Sequence, residues 1–303
     1  PGWPVTTPKF CWSSPALADL DHDGRSEVFQ TCADGKLYCW RYNGSEYIDG
    51  DDNPLTLGVF ANLYSQWNYS SPAIADLDGD REPEIIQAST SDSVYVFHSD
   101  GSRMEGWPFW VEGDAFTSPA VGDVDQDGYP EIVVSSNGWK VWLLERDGTV
   151  MPGWPVTVQI ADDFSPSPVL ADITGDGYLE VVLGGRDGSL TVKDYLGNTL
   201  PGWPLSLGTP NISSPAVAEI DGSPGLEIVL GSKGGKVHCF GSDGSTVDGW
   251  PIQTGAEVNS SPLVSDLDGD GDVEVVVGGM DTRVYVWDCD GSYDGGDGVE
   301  WAC

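Results

Sequence analysis

The sequence predicts an all-β fold, a β-propeller of six four-stranded blades, on three observations. One motif recurs six times in the 303 residues: Ser-Pro, a short apolar run, an aspartate-rich loop and a β-branched run. The composition, with 40 Gly, 21 Pro and 13 Trp, is typical of many turns, and helical periodicity is nearly absent. The repeated serines are Ser14, Ser71, Ser118, Ser167, Ser214 and Ser261, spaced 57, 47, 49, 47 and 47 residues apart. One such unit cannot bury its own apolar face, so the units must pack on one another.

Each unit has turn signals for four short antiparallel strands. The third unit predicts strands at residues 118–124, 131–135 and 140–144 and an outer strand beginning at 153–156. Asn137-Gly138 predicts the hairpin between the second and third strands, because Asn and Gly accept the positive φ of tight turns. The proline of the outer strand is tolerated because that strand lies at a sheet edge.

A Gly-Trp-Pro element marks the outer strands, at Trp3, Trp107, Trp154, Trp203 and Trp250. We expect these tryptophans to be structural, each burying about 200 Å² between blades. The first unit lacks the element, and residues 54–60 are predicted to form its outer strand.

The first five residues, PGWPV, precede the first complete unit. The simplest closure makes this segment the outer strand of the sixth blade, because joining the two ends removes exposed sheet edges. The alternative is that residues 298–301 form that strand and PGWPV belongs to a missing blade of a seven-bladed propeller. We expect one domain over residues 1–303, with a tail at 292–303.

The charge excludes several classes of partner. The net charge of −36 disfavours binding to nucleic acid and to anionic membrane surfaces. No apolar run of about 18 residues is present, so membrane insertion is not expected. No signal peptide is visible, and the chain opens on Pro1 as a processed or excised segment would.

The aspartate-rich loops place oxygen-bearing side chains at positions 1, 3, 5 and 9, the pattern of a calcium loop. Ca²⁺ takes about 6–8 oxygen ligands, and alternate residues of a tight loop can direct that many inward. The flanking segments are strands, which distinguishes these loops from helix-flanked EF-hands. We expect four to five Ca²⁺ ions, with these ligands: Asp19, Asp21, Asp23 and Glu27 in loop one; Asp76, Asp78, Asp80 and Glu84 in loop two; Asp123, Asp125, Asp127 and Glu131 in loop three; Asp172, Thr174, Asp176 and Glu180 in loop four; Asp266, Asp268, Asp270 and Glu274 in loop six.

Position 6 determines how easily each loop closes. Four loops have glycine there, which accepts the sharp turn without steric cost. Loop two has Arg81, which costs roughly 1 kcal/mol in a left-handed conformation. Loop five has Pro224, which cannot reach positive φ, so we expect no tight site at Glu219 and Asp221.

The units, with the pattern SPAxADLDGDGxxEIV, resemble FG-GAP repeats, the propeller blades of integrin α-chain heads and of bacterial and archaeal relatives. The resemblance covers essentially the whole chain. It implies calcium binding by the loop carboxylates on one face of the propeller. Two features depart from the family: SSPA replaces the Phe-Gly and Gly-Ala-Pro elements, and six units replace the seven of integrins. Integrin-style ligand binding is therefore not implied.

The six cysteines lack the spacing of zinc, redox or haem motifs. Antiparallel pairing of the first two strands brings Cys11 near Cys32 and predicts a disulfide, with Cys32–Cys39 as the competing pair. A second disulfide, Cys289–Cys303, would fix the tail. Cys39 and Cys239 are expected to be buried thiols. Four sequons, at Asn43, Asn68, Asn211 and Asn259, are glycan acceptors if the chain is secreted and arise by chance otherwise.

Aromatic residues gather in the segments that enter the inner strands and in nearby hairpins. These candidates for ligand binding are Trp12, Trp67, Tyr69, Trp110, Phe116, Trp139 and Phe164. Aromatic platforms suit sugar faces or peptide side chains. The alternative is that these rings fill the central channel and pack between blades.

We therefore expect an extracellular, calcium-stabilised adhesion or recognition module for protein or glycan ligands. A structural repeat domain of a surface layer or filament, in contact with neighbouring copies, is the first alternative. A carbohydrate-active enzyme is the second. His22, His98 and His238 belong to no recognisable nucleophile motif, so no enzymatic activity is expected.

Overall fold

In a computed structural model, the described residues are 2–48, 50, 57–64, 67–158, 166–222 and 225–289. They contain no helix and form six antiparallel sheets. The first three sheets contain β1 (Ala16–Ala18), β2 (Glu27–Cys32), β3 (Lys36–Trp40) and β4 (Val59–Asn62); β5 (Ala73–Ala75), β6 (Glu84–Ser89), β7 (Ser93–Phe97) and β8 (Phe109–Trp110); and β9 (Ala120–Gly122), β10 (Glu131–Ser136), β11 (Lys140–Leu144) and β12 (Val156–Thr157).

The other three sheets repeat this order. They contain β13 (Val169–Ala171), β14 (Glu180–Gly184), β15 (Ser189–Lys193) and β16 (Leu205–Ser206); β17 (Ala216–Ala218), β18 (Glu227–Ser232), β19 (Lys236–Phe240) and β20 (Ile252–Gln253); and β21 (Leu263–Ser265), β22 (Val273–Gly278) and β23 (Val284–Cys289). Within every sheet the strands follow chain order. The predicted all-β fold is confirmed, and the six antiparallel sheets agree with the six predicted blades.

The chain divides into two compact units with three sheets each. The first unit comprises residues 1–123 and 127–157, and the second comprises residues 124–126 and 158–303. The expectation of one domain over the whole chain stays a prediction.

The cores lie between successive sheets within each unit. Between the second and third sheets, Ile86 and Val94 pack with Ile132 and Val134, and Leu77 closes the end of this core. All five side chains are fully buried. Burial of each contributes roughly 1.5–3 kcal/mol. The β-branched runs of the second and third strands therefore bury both faces, as blades between two neighbours must.

Serine hydroxyls of the Ser-Pro elements join neighbouring blades. The Ser14 amide donates to Ser71 Oγ at 2.9 Å, and the Ser71 amide donates to Ser118 Oγ at 3.0 Å. In the second unit, the Ser167 amide donates to Ser214 Oγ at 2.9 Å. This contact explains the repeated serine, a role that the sequence interpretation missed.

The Gly-Trp-Pro tryptophans have the predicted structural role. The Nε1 of Trp107 donates to the Arg146 carbonyl of the next sheet at 3.0 Å, and Trp203 donates likewise to Ser242 at 3.2 Å. Trp3 makes the same bond to the Tyr42 carbonyl at 2.8 Å but is 44% exposed. Trp3 therefore contacts the first sheet in the same way as Trp107 and Trp203 contact the sheet that follows each of them.

The outer strands of the first and sixth blades differ from those of the other four blades. In the first blade the outer strand of the described residues is Val59–Asn62, which overlaps the end of the predicted strand at 54–60, and a register shift occurs between Leu37 and Tyr38. Residues 51–56 lie outside the described part of the chain. The sixth sheet has three strands among the described residues, and residues 2–5 form no strand. Residues 298–301 lie outside the described part of the chain, so closure by PGWPV and the seven-bladed alternative both stay predictions.

Candidate functional site

The acidic loops connect the inner and second strands of each blade, and backbone amides orient their carboxylates. The amide at position 2 donates to the glutamate at position 9: Leu20 to Glu27 at 2.9 Å, and Ile173 to Glu180 at 2.8 Å. Loops two, five and six repeat this bond. The amide at position 6 donates to the aspartate at position 1 in loops one to four. These bonds leave the remaining carboxylate oxygens to converge.

Several loops bring their predicted ligands together. Ligand atoms lie within 4.8 Å of one another in Asp19, Asp21 and Glu27 of loop one, in Asp76, Asp78 and Asp80 of loop two, and in Asp123, Asp125 and Asp127 of loop three. Loop five, where no tight site is predicted, also brings Glu219, Asp221 and Glu227 together. In loop three, Asp123 accepts a hydrogen bond from the Gly128 amide, and Asp127 accepts one from the Tyr129 amide. Asp125 lies between the two aspartates in sequence. In loop four, Thr174 Oγ1 contacts Glu180 Oε1 at 3.5 Å.

The donor set fits a hard cation. Among the described residues, Asp123 Oδ1 and Glu274 Oε1 are buried oxygens without a hydrogen-bond partner. Burial raises the pKa of the position-9 carboxyls Glu27, Glu84, Glu180 and Glu227. A buried anion that lacks a counter-charge is destabilised, so a divalent cation would offset this cost. Oxygen ligands of this type suit Ca²⁺.

Individual loops differ in the nitrogen-bearing side chains beside them. In loop two, His98 Nδ1 lies 3.1 Å from Glu84 Oε1, and Arg81 has a φ of 76°, the left-handed turn expected at position 6. In loop one, Arg41 Nη1 lies 2.5 Å from Asp21 Oδ2. Pro224 of loop five lies outside the described residues.

An aromatic patch, defined as Phe10, Trp12, Trp67, Tyr69 and Phe116, lies where the chain enters the first three inner strands. Trp12 and Tyr69 stack with centroids 4.6 Å apart, and Phe10 contacts Trp12 at 4.5 Å. Tyr69 continues the row to Phe116 at 5.7 Å. Trp12 is 52% exposed and Trp67 46% exposed. The patch therefore presents a continuous apolar surface to solvent.

The end of β2 holds the patch in place. Ala33 donates its amide to the Phe10 carbonyl at 2.9 Å and accepts the Trp67 amide at 3.4 Å. The predicted disulfide joins Cys11 to Cys32 beside these contacts. Trp67 has a φ of 73°, a conformation that costs a bulky residue about 1 kcal/mol or more. Trp67 thus combines a half-exposed ring with a backbone conformation that bulky residues rarely adopt.

Four of the seven predicted aromatic residues meet in this patch, and Phe10 was missed by the sequence interpretation. Its only sequence signal is its position next to Cys11, whose pairing fixes the segment. Trp110 and Trp139 are exposed and make no ring contact with the patch among the described residues. Trp139 takes the positive φ of its hairpin, 64°, in place of the predicted Asn137-Gly138. Phe164 lies outside the described residues.

The remaining cysteines and sequons are placed as follows. Cys39 and Cys239 are buried thiols, as predicted, and burial raises the pKa of each. The Cys289–Cys303 pairing lies outside the described residues. Asn68 and Asn211 are buried, Asn259 is half-buried and Asn43 is exposed. Burial makes the Asn68 and Asn211 sequons incompatible with a glycan in the folded protein.

A cleft of about 550 Å³ lies beside loop five, lined by carboxylates that include Glu227 and Asp243. A bond from Ser245 lowers the pKa of Asp243, and turn bonds likewise lower the pKa of Asp100 and Asp147 in other blades. The same turn, repeated in several blades, therefore accounts for the lowered pKa of Asp243.

Comparison with known proteins agrees with this fold. Residues 19–87 and 76–134 match the model of the FG-GAP-like repeat. No curated protein sequence matches the chain. BBS1N in complex with ARL6DN is similar in structure, with a TM-score of 0.62 and 15% identity over 94% of this chain and 80% of BBS1N.

Two further solved structures are similar. The V. cholerae biofilm matrix protein Bap1 gives a TM-score of 0.58 and 19% identity over 84% of this chain and 42% of Bap1. BamB from Moraxella catarrhalis gives 0.57 and 13% over 93% of this chain and 74% of BamB. At these identities, the likeness shows the fold.

Proposed function

We propose a function on the premise that this chain is a β-propeller built from FG-GAP-like repeats: it is an extracellular, calcium-stabilised recognition and adhesion module. It binds protein or glycan ligands through the aromatic patch. It binds them without chemical conversion, and it binds neither nucleic acid nor membrane. In the described residues, no helix has the length and apolar character that a membrane crossing requires.

The aromatic patch carries this proposal. The five rings form one contiguous cluster, its two tryptophans are about half exposed, and Trp67 is held in a strained conformation. Lys9 Nζ lies 5.9 Å from the Trp67 ring and adds a positive charge to a strongly acidic protein. Large exposed apolar patches mark interaction sites because their exposure to water is unfavourable.

Calcium would stabilise the strands that carry the patch. The aromatic residues precede the inner strands, and the acidic loops follow them. The carboxylates converge in loops that directly follow those strands, so metal bound there stabilises the blades that carry the rings. Weak sites of about 10⁻⁴ M suffice outside cells, where free calcium is about 1 mM. This dependence favours an extracellular location. On this fold, BBS1N was crystallised in complex with ARL6DN, and Bap1 is a biofilm matrix protein.

Binding assays with matched variants test the proposal. Wild-type protein in 1 mM calcium would be applied to a glycan array and an array of extracellular proteins, beside the variants Trp12→Ala, Trp67→Ala and Trp110→Ala. Removing one stacked ring is expected to weaken binding by roughly tenfold or more, about 1.4 kcal/mol. Trp110→Ala is the control, since this exposed ring stands outside the patch.

Three outcomes contradict the proposal. If all three variants lost binding affinity to the same extent, the aromatic patch would not be the binding site. No ligand on either array, together with self-association of the wild type, would favour a structural repeat domain. Turnover of a polysaccharide would favour a carbohydrate-active enzyme.

A further inference from the structure

One position in each blade faces the glutamate of the acidic loop. In the first five blades it follows the third strand, and its amide donates to the carbonyl of the residue four positions later, as in Arg41 to Ser45 and His98 to Ser102. In the sixth blade the corresponding Asp288 pairs directly with Glu274 across the sheet. From the first blade to the sixth, the residues here are Arg41, His98, Glu145, Asp194, Gly241 and Asp288.

In the first blade this position supplies a cation. The guanidinium of Arg41 binds Asp21, the predicted ligand at position 3, with Nη1 and Oδ2 2.5 Å apart. This bond is the main reason that the pKa of Arg41 is raised. Arg41 also lies 5.0 Å from the Tyr47 ring, which holds the guanidinium over the loop. Both partners of the ion pair are only partly exposed, so water screens the attraction less than at the surface.

The sixth blade shows the opposite arrangement. Asp288 adds a carboxylate opposite Glu274, whose Oε1 is buried and has no hydrogen-bond partner among the described residues. Loop six therefore concentrates negative charge around an unsatisfied oxygen. Loop one has the same four acidic ligands but a neighbouring positive charge in place of the negative one.

We propose that Arg41 replaces the calcium ion of loop one, so that an internal ion pair closes the first blade without metal. Loops two, three, four and six bind calcium, and this part rests on the proposed function. The consequence is a first blade that keeps its loop closed when calcium is withdrawn. That blade carries Phe10, Trp12 and the disulfide that fixes the aromatic patch.

Ion counts by native mass spectrometry of the full chain in saturating calcium test this assignment. The variant Arg41→Gln frees Asp21 and is expected to bind one ion more than the wild type. The reverse variant, Asp288→Arg, is expected to bind one fewer. Lys193→Gln is the control. It removes a positive charge whose ammonium group bonds to Thr199 rather than to an acidic loop, so the number of bound ions should not change. Thermal unfolding in calcium verifies that each variant folds.

Hydrogen exchange gives a second readout that does not depend on the variants. On addition of EGTA to the wild type, the amides of Asp23 and Gly24, which bond to Asp19, should keep their exchange rates. Those of Asp270 and Asp272 in loop six should exchange at least tenfold faster.

The outcomes separate the two proposals. Faster exchange at Gly24 in EGTA, or an unchanged ion count in Arg41→Gln, overturns the role of Arg41 while calcium binding stands. No bound ion in the wild type overturns calcium binding and, with it, the replacement of an ion by Arg41.

Discussion

Protonation of His238 is expected to destabilise this protein on mild acidification. The side chain is 7% exposed on β19, and its Nε2 lies 3.2 Å from the Ser232 hydroxyl. Burial, with a smaller contribution from Lys236, lowers its pKa to about 4 from an ordinary 6.5. Between these two values the unfolded chain binds a proton that the folded protein excludes. The contribution of His238 to the free energy of unfolding is thus fully present above pH 6.5, and it is lost as the pH falls toward 4.

The size of the effect follows from the shift in pKa. One pKa unit corresponds to about 1.4 kcal/mol, so acidification to pH 5 removes roughly 2 kcal/mol of unfolding free energy and acidification below pH 4 about 3 kcal/mol. The measurement is denaturant unfolding from pH 7.5 to pH 5 for the wild type and for His238→Gln. Gln does not titrate, so the difference between the two curves isolates His238 from the many carboxylates. A difference that does not change with pH would refute the reasoning.

Three further predictions concern stability. Chelation by EGTA should remove about 1.4 kcal/mol for each bound calcium ion at 1 mM, measured by unfolding with and without metal, and unchanged unfolding would contradict calcium binding. Leu77→Ala should cost roughly 2–5 kcal/mol in the same assay because Leu77 is fully buried. The exposed Leu17→Ala is its control, and equal costs would contradict this packing. Replacing Cys11 and Cys32 by Ser should cost about 3 kcal/mol for a separation of 21 residues, and a cost below about 0.5 kcal/mol would contradict a stabilising disulfide.

Parts of the candidate site could be predicted from local sequence. The spacing of Asp19, Asp21 and Glu27 was sufficient to predict converging carboxylates, because a tight loop directs alternate side chains inward. The Cys11–Cys32 disulfide was predictable from antiparallel pairing of adjacent strands. Both features depend on residues close in sequence, whose geometry the strands and turns constrain.

Other parts depend on contacts between distant residues. Arg41 reaches Asp21 from the far end of the third strand, and no spacing rule marks it as the partner of that loop. Phe10 and Trp67 meet because both bond to the backbone of Ala33, although they stand 57 residues apart. The sequon at Asn68 looks like a surface motif, yet the residue is buried.

The sequence by itself determined the repeat, the strand order within each blade and the acidic loops, because these follow from local alternation, turn residues and ligand spacing. The tertiary structure decided which charge faces each loop and which aromatic rings form one surface. Those outcomes depend on contacts between side chains that are distant in sequence, within one blade or between blades, and the free energy of such contacts is set by burial and distance rather than by position in the chain.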